Sequence, residues 1–156
     1  MNSLEVRLAT EADAKDISDI LLTSFREFKS LYTPEGFAAT TPTPKEILTR
    51  LSQGPIWIAT LDRRKVGTVS VVVQGSDLYV RGMAVLPDAR GAGVAVSLFR
   101  LVDEYANVQG CRREFLSTTP FLDRAIAFYK GLGFKKIDDG PTDLFGTSLL
   151  TMERWL

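Results

Sequence analysis

Histidine is absent from all 156 residues, and cysteine occurs once, at Cys111. The first absence removes the commonest general base and the commonest metal ligand. The two together exclude a zinc site of the Cys/His type, so no metal is expected, and exclude a Ser-His-Asp or Cys-His nucleophile. A lone cysteine also excludes an internal disulfide and suits a reducing compartment, which makes the cytoplasm the expected location. Net charge is missing as well, because 19 Lys plus Arg balance 19 Asp plus Glu. That balance gives no support for binding nucleic acid or an anionic membrane through bulk electrostatics. No apolar run approaches the roughly 18 residues of a membrane span. Met1 to Leu8 lacks a basic region followed by an apolar core, so no secretory signal is read there. What survives these absences is direct transfer between two substrates, which needs no protein nucleophile.

What is present is an ordinary globular composition, 45% hydrophobic and 24% charged. Residues 1–156 read as one domain, able to bury roughly 70% of the surface that the unfolded chain exposes. Glu5 to Leu8 reads as a strand. Thr10-Glu11-Ala12-Asp13 resembles a capping box, and Ala14, Ile17, Leu21 and Phe25 recur at helical spacing, so a helix is expected from Glu11 to about Phe28. Leu31 to Thr41 reads as a loop with one helical turn after Thr33-Pro34. Thr43-Pro44-Lys45-Glu46 opens a helix that runs to Ser52, before Gly54. Ile56–Leu61, Val66–Gln74 and Leu78–Val85 read as an antiparallel meander with short turns. A helix with Leu98, Leu101, Val102 and Tyr105 on one side follows, up to Gly110. The strand at Glu114–Thr118 must lie parallel to the last meander strand, because a helical crossover joins them. Thr119-Pro120 begins another helix. Phe134–Ile137 and Ser148–Glu153 are closing strands, joined by a loop over Asp138–Gly146. Edge strands near the C-terminus could pair in a homodimer.

The most informative stretch is Arg90-Gly91-Ala92-Gly93-Val94-Ala95, between the strand ending at Val85 and the following helix. A glycine-rich turn into a helix presents free backbone N–H groups and the positive end of the helix dipole, a site for phosphate or pyrophosphate. The glycines let the backbone approach the anion without a Cβ in the way. The phosphate loop GxxxxGK[ST] is absent, and the dinucleotide fingerprint GxGxxG fails at Val96. What fits is (Arg/Gln)-x-x-Gly-x-(Gly/Ala), filled by Arg90, Gly93 and Ala95. The alternative is a plain turn with small residues at a helix start. Downstream, Tyr129, Gly133 and Phe134 form Tyr-x-x-x-Gly-Phe at the end of a helix.

Both patterns, in this order, resemble the GNAT superfamily of N-acyltransferases over nearly the whole chain. The resemblance implies an α/β (α+β) fold: a mixed, mostly antiparallel sheet of six to seven strands, about four flanking helices, and two splayed parallel central strands. It implies an acetyl-CoA-dependent N-acetyltransferase acting by direct attack of a primary amine, on a small molecule or a peptide. A non-catalytic acyl-CoA-binding sensor or regulatory module is the alternative.

The cofactor-binding candidates follow from this resemblance. Gly91, Ala92, Gly93, Val94 and Ala95 offer N–H groups to the pyrophosphate, and Arg90 offers charge. Met83, Ala84 and Val85 offer backbone to the amide-rich pantetheine arm, and the Val85 N–H would serve a developing oxyanion. Leu122 stands where the family often has an asparagine, so one hydrogen bond to that arm is lost. Tyr129 is the implied acid for the leaving thiolate; otherwise it is a core residue with its hydroxyl at the edge. The glutamate that some members carry before the glycine loop is replaced by Tyr79. Tyr79 and Arg81 share one strand face, and Arg81 either pairs with an acidic acceptor or sits on a solvated face. Glu27, Glu35, Glu153 or water remain as bases. The segment from Arg26 to Thr41 usually flanks the acceptor in this superfamily. Its Phe28, Tyr32 and Phe37 either contact the acceptor or pack under a loop. The segment is poor in acids, which disfavours a polyamine acceptor.

Overall fold

Ile56 and Ile58 pack in one apolar cluster and Trp57 and Ala59 in another, all of them buried. A strand buried on both faces must lie inside a sheet that has helices on each side. That is the arrangement in the computed structural model, which describes residues 3–156. Met1 and Asn2, which belong to the single-domain and no-signal readings, lie outside the described residues.

The strands are β1 (Leu4–Leu8), β2 (Ile56–Leu61), β3 (Arg64–Gln74), β4 (Asp77–Val85), β5 (Arg113–Thr118), β6 (Lys135–Ile137), β7 (Asp143–Leu144), β8 (Thr147–Ser148) and β9 (Leu150–Trp155). Seven of them form one sheet in the order β1-β2-β3-β4-β5-β9-β6, and β7 and β8 form a separate hairpin. Among the described residues, only β4 and β5 pair in parallel. The helices are α1 (Ala14–Phe25), α2 (Pro34–Thr40), α3 (Pro44–Gln53), α4 (Val94–Val108) and α5 (Asp123–Gly131).

On one face, Ile17, Ile20 and Leu21 of α1 and Ile47 of α3 cover Ile56, Ile58 and Ala84. On the other, Leu98, Phe99 and Val102 of α4 cover Val69, Val71, Leu78 and Val80. Burying each of these large side chains contributes roughly 1.5–3 kcal/mol. Asp13 ties the first helical turn to the sheet. Its carboxylate accepts from Arg7 at 2.8 Å, from the Thr10 N–H at 2.8 Å and from Lys65 at 3.1 Å. These donors hold the Asp13 carboxyl well below the usual carboxylate range, the Arg7 hydrogen bond most of all.

The described residues form five α-helices, against about four expected, and some element bounds are corrected. α2 has seven residues where a loop with one helical turn after Thr33-Pro34 was expected. Thr33 caps it by accepting from the Gly36 N–H at 3.0 Å, and Pro34 at the first position has no N–H to leave unpaired. Residues 26–31 are a 3-10 turn, so α1 stops at Phe25 rather than Phe28. α5 starts at Asp123, after a turn closed by Leu122 N–H to Thr119 O at 3.1 Å. The C-terminal strand β9 lies between β5 and β6, so the sheet edges are β1 and β6.

Two irregularities in β4 shape the centre of the sheet. Gly82 adopts φ +60° at a bulge against β3, a conformation that glycine takes without strain. Pairing with β5 covers only Asp77↔Arg113, Leu78↔Glu114 and Tyr79↔Phe115. Beyond Tyr79 the two strands diverge, although β4 runs on to Val85 and β5 to Thr118.

Candidate active site

The divergence of β4 and β5 leaves backbone groups without a ladder partner. Leu86 N–H donates to Val66 O at 2.8 Å. In an antiparallel ladder, bonding direction alternates residue by residue. Val85, opposite Gly67, therefore turns its N–H and C=O away from β3, toward the side that β5 has left. A donor directed into a gap between strands is suited to a carbonyl oxygen that gains charge.

A cleft of about 770 Å³ opens at this gap. It is lined by Met83 and Val85 of β4, by Arg90, Gly91, Gly93, Val94 and Ala95, and by Leu122 and Tyr129. The glycine run enters α4 with φ +83° at Gly91 and +79° at Gly93. Gly93 is the cap residue, no side chain caps the helix, and no acid occupies its first turn. The first N–H groups of α4 are thus left for another acceptor, at the positive end of the dipole. A Cβ on Gly91 or Gly93 would meet no protein atom within 4 Å, so both glycines face open space.

Tyr129 ends the cleft on the α5 side. Its ring packs against Phe99, Phe128 and Phe134, with centroids 5.7–6.1 Å away. Burial raises its pKa above that of an ordinary phenol, so it stays protonated at neutral pH. Ala84 and Ala92 do not line the cleft; the Ala84 side chain packs under α1 instead.

The acceptor candidates divide. Phe28 lines the same cleft, 6.2 Å from Phe121. Tyr32 lines a second cleft of about 570 Å³ with Thr33, Pro120 and Thr147, and Phe121 borders both clefts. Phe37 lines neither cleft; it is buried against the Tyr32 ring at 5.7 Å. Tyr79 and Arg81 lie where β4 leaves β5. The Arg81 guanidinium is 5.9 Å from the Tyr79 ring, which stacks on Phe115 at 5.1 Å. Of the carboxylates considered as bases, Glu27 lines the cleft and pairs with Arg90. Glu153 is committed to Arg113 at 2.8 Å and Trp155 at 2.7 Å, and Glu35 is exposed on α2.

Sequence reasoning missed Ser24, Phe121 and Phe128 as cleft residues. Phe128 sits one position before the Tyr129 motif, the one local cue available. Ser24 and Phe121 carry none.

A family model described as the acetyltransferase (GNAT) family matches residues 16–134. The chain is 32% identical over 114 residues to the uncharacterized N-acetyltransferase YjgM of Escherichia coli (strain K12), across 69% of this chain and 68% of that protein. It is 31% identical over 86 residues to human N-acetyltransferase 8B, across 51% of this chain and 38% of that protein. In fold it resembles the PaiA N-acetyltransferase of Thermoplasma acidophilum, solved in complex with coenzyme A. That match has a TM-score of 0.84 at 15% identity and covers 99% of each chain.

Proposed function

This chain belongs to the acetyltransferase (GNAT) family, and from that premise we propose that it moves an acetyl group from acetyl-CoA to a primary amine of a small molecule or peptide. One observation carries the reading. A single cleft is lined by an uncapped helix start, by the strand end whose Val85 N–H faces the strand gap, and by a protonated tyrosine.

The α4 N–H groups hold the pyrophosphate, and Arg90 adds charge. The Met83–Val85 backbone pairs with the pantetheine amides. The amine, in its neutral form, attacks the thioester carbonyl, and the Val85 N–H supports the oxygen as charge develops. The carbon–sulfur bond breaks, the Tyr129 hydroxyl protonates the departing thiolate, and the nitrogen loses a proton to solvent. The tyrosine is then reprotonated from water. Leu122 supplies no hydrogen bond to the pantetheine arm, so the grip there rests on backbone. The lone Cys111, buried, suits the reducing cytoplasm as the place of action.

Thermal unfolding with acetyl-CoA, ATP and NAD tests this. Acetyl-CoA at about 100 times its dissociation constant adds roughly 2.7 kcal/mol, a midpoint rise of several degrees. A rise with acetyl-CoA alone supports the reading. No rise, or equal rises with all three ligands, contradicts it.

A further inference from the structure

Every arginine in the described residues that is at least partly buried pairs with a carboxylate, apart from Arg50 and Arg81. Arg90 pairs with Glu27, Arg113 with Asp77 and Glu153, and Arg154 with Asp103 and Glu114. Arg50, on α3, reaches only the Ala39 carbonyl, at a long 3.5 Å. Arg81, on β4, donates to the uncharged Gln53 amide, and its Nε is buried with no partner.

The two guanidiniums are close enough to repel one another, and burial and that repulsion both disfavour the charge on Arg50. Burial likewise disfavours the charge on Arg81. Glu46, one turn back on α3, acts on Arg50 only at a distance. Two like charges in a half-buried place, neither of them in an ion pair, cost stability. An acid supplied from outside would offset that cost.

Their position says which acid. Arg50 Nη1 lies 3.1 Å from where a Gly82 Cβ would stand, directly over the β4 bulge. Ser70 flanks the same bulge, with its Cβ 3.9 Å from that point and its buried Oγ unpartnered. Gly82 precedes Val85 by three strand positions, roughly 10 Å at 3.3 Å per residue. Arg81 and Gly82 also follow Tyr79, the last residue paired with β5. An anion bound here is thus within the length of a small molecule from the carbonyl-activating end of the strand. A planar guanidinium pair matches the geometry of a carboxylate.

We propose that Arg50 and Arg81, with Ser70, form the acid-recognising half of the acceptor site, and that the acceptor is an amine carrying a carboxylate, of the amino-acid class. This rests on the acetyl-transfer reading above and narrows it. Peptide amines and polyamines, which bring no carboxylate beside the amine, are disfavoured.

The test uses matched acceptors that differ only in the acid: phenylalanine against phenylalaninamide, and leucine against leucinamide. Release of CoA thiol from acetyl-CoA gives kcat/KM for each. The same samples are checked for the midpoint rise with acetyl-CoA. The expected result is at least a tenfold preference for each acid over its amide. That preference falls by tenfold or more in Arg50→Gln and in Arg81→Gln, while Arg81→Lys keeps part of it. The acetyl-CoA midpoint rise persists in each variant, which shows that the fold and cofactor cleft are intact. Amides turned over as well as acids, with the midpoint rise present, overturn this proposal and leave acetyl transfer standing. So does a preference that survives both glutamine variants. Absence of the midpoint rise in the unaltered protein overturns acetyl transfer itself and this proposal with it.

Discussion

Arg90 donates to Glu27 across the cleft, with 3.3 Å between Nη2 and Oε1. The guanidinium of the glycine loop is therefore held by a carboxylate that follows α1, where an incoming phosphate would have to compete for it. A half-exposed pair of this kind contributes roughly 0.2–1 kcal/mol and weakens with salt. Glu27→Gln removes the competitor and a negative charge from the cleft. Acetyl-CoA should bind about two- to fivefold tighter to this variant at low ionic strength, by isothermal titration. Weaker binding would mean that Glu27 supports the cofactor rather than competing with it.

Gly93→Glu acts on the opposite partner. The new Cβ meets no protein atom, so the folded chain tolerates its bulk, although φ +79° costs about 1 kcal/mol for a non-glycine residue. The side chain and its charge then occupy the space in front of the α4 N–H groups. Acetyl-CoA binding should be lost by titration while the far-ultraviolet circular dichroism stays unchanged. A folded variant with normal affinity would remove the loop from the account.

How much of this was legible in the sequence follows from particular residues. The β2–β4 meander was readable because β-branched runs alternate and are cut by Asp62-Arg63 and Gly75-Ser76. The glycine loop and Tyr129 were readable because both are local patterns. α2 was readable only as one turn after Thr33-Pro34, because Pro34 and Gly36 look like breakers, and the Thr33 cap also depends on the β7–β8 hairpin. Thr33 Oγ1 lies 3.1 Å from Thr147 Oγ1 and donates to Phe145 O at 2.7 Å. Arg50 was invisible for a similar reason. On the helix pattern it is one more polar position, and only packing of α3 over the Gly82 bulge sets it beside Arg81. Tertiary juxtapositions of this kind leave no trace in periodicity.

Tyr129→Phe removes one oxygen and leaves the ring packed against Phe99 and Phe134. Turnover should fall by about tenfold or more, while the acetyl-CoA dissociation constant changes much less. Because burial holds the phenol protonated, the rate profile should show no loss of activity from Tyr129 between pH 6 and 9. Full turnover at saturating substrates would move the acid role elsewhere.

Glu114 gives the fold a pH dependence of its own. Burial first, and then the neighbouring Asp103, raise its pKa to about 7, against the opposing pull of Arg154. An acid whose folded pKa is raised favours the folded state below its unfolded pKa and loses that contribution as pH rises through the folded value. Between about pH 4.5 and 7 this group therefore makes stability fall with rising pH. Glu114→Gln removes that slope. Its stability relative to the unaltered protein should rise by on the order of 2 kcal/mol between pH 5 and 8, read from urea unfolding at each pH. A constant difference across that range would contradict the assignment.

Acetyl transfer from a thioester to an amine in this cleft is tested by following CoA thiol release from acetyl-CoA with phenylalanine present and absent, with the acceptor identified by mass in the same samples. Acetyl transfer predicts thiol release that depends on the amine and matches N-acetylated product one for one. Tight acetyl-CoA binding with no amine-dependent release, across free amino acids and their amides, would contradict it and leave a protein that binds the thioester without using it.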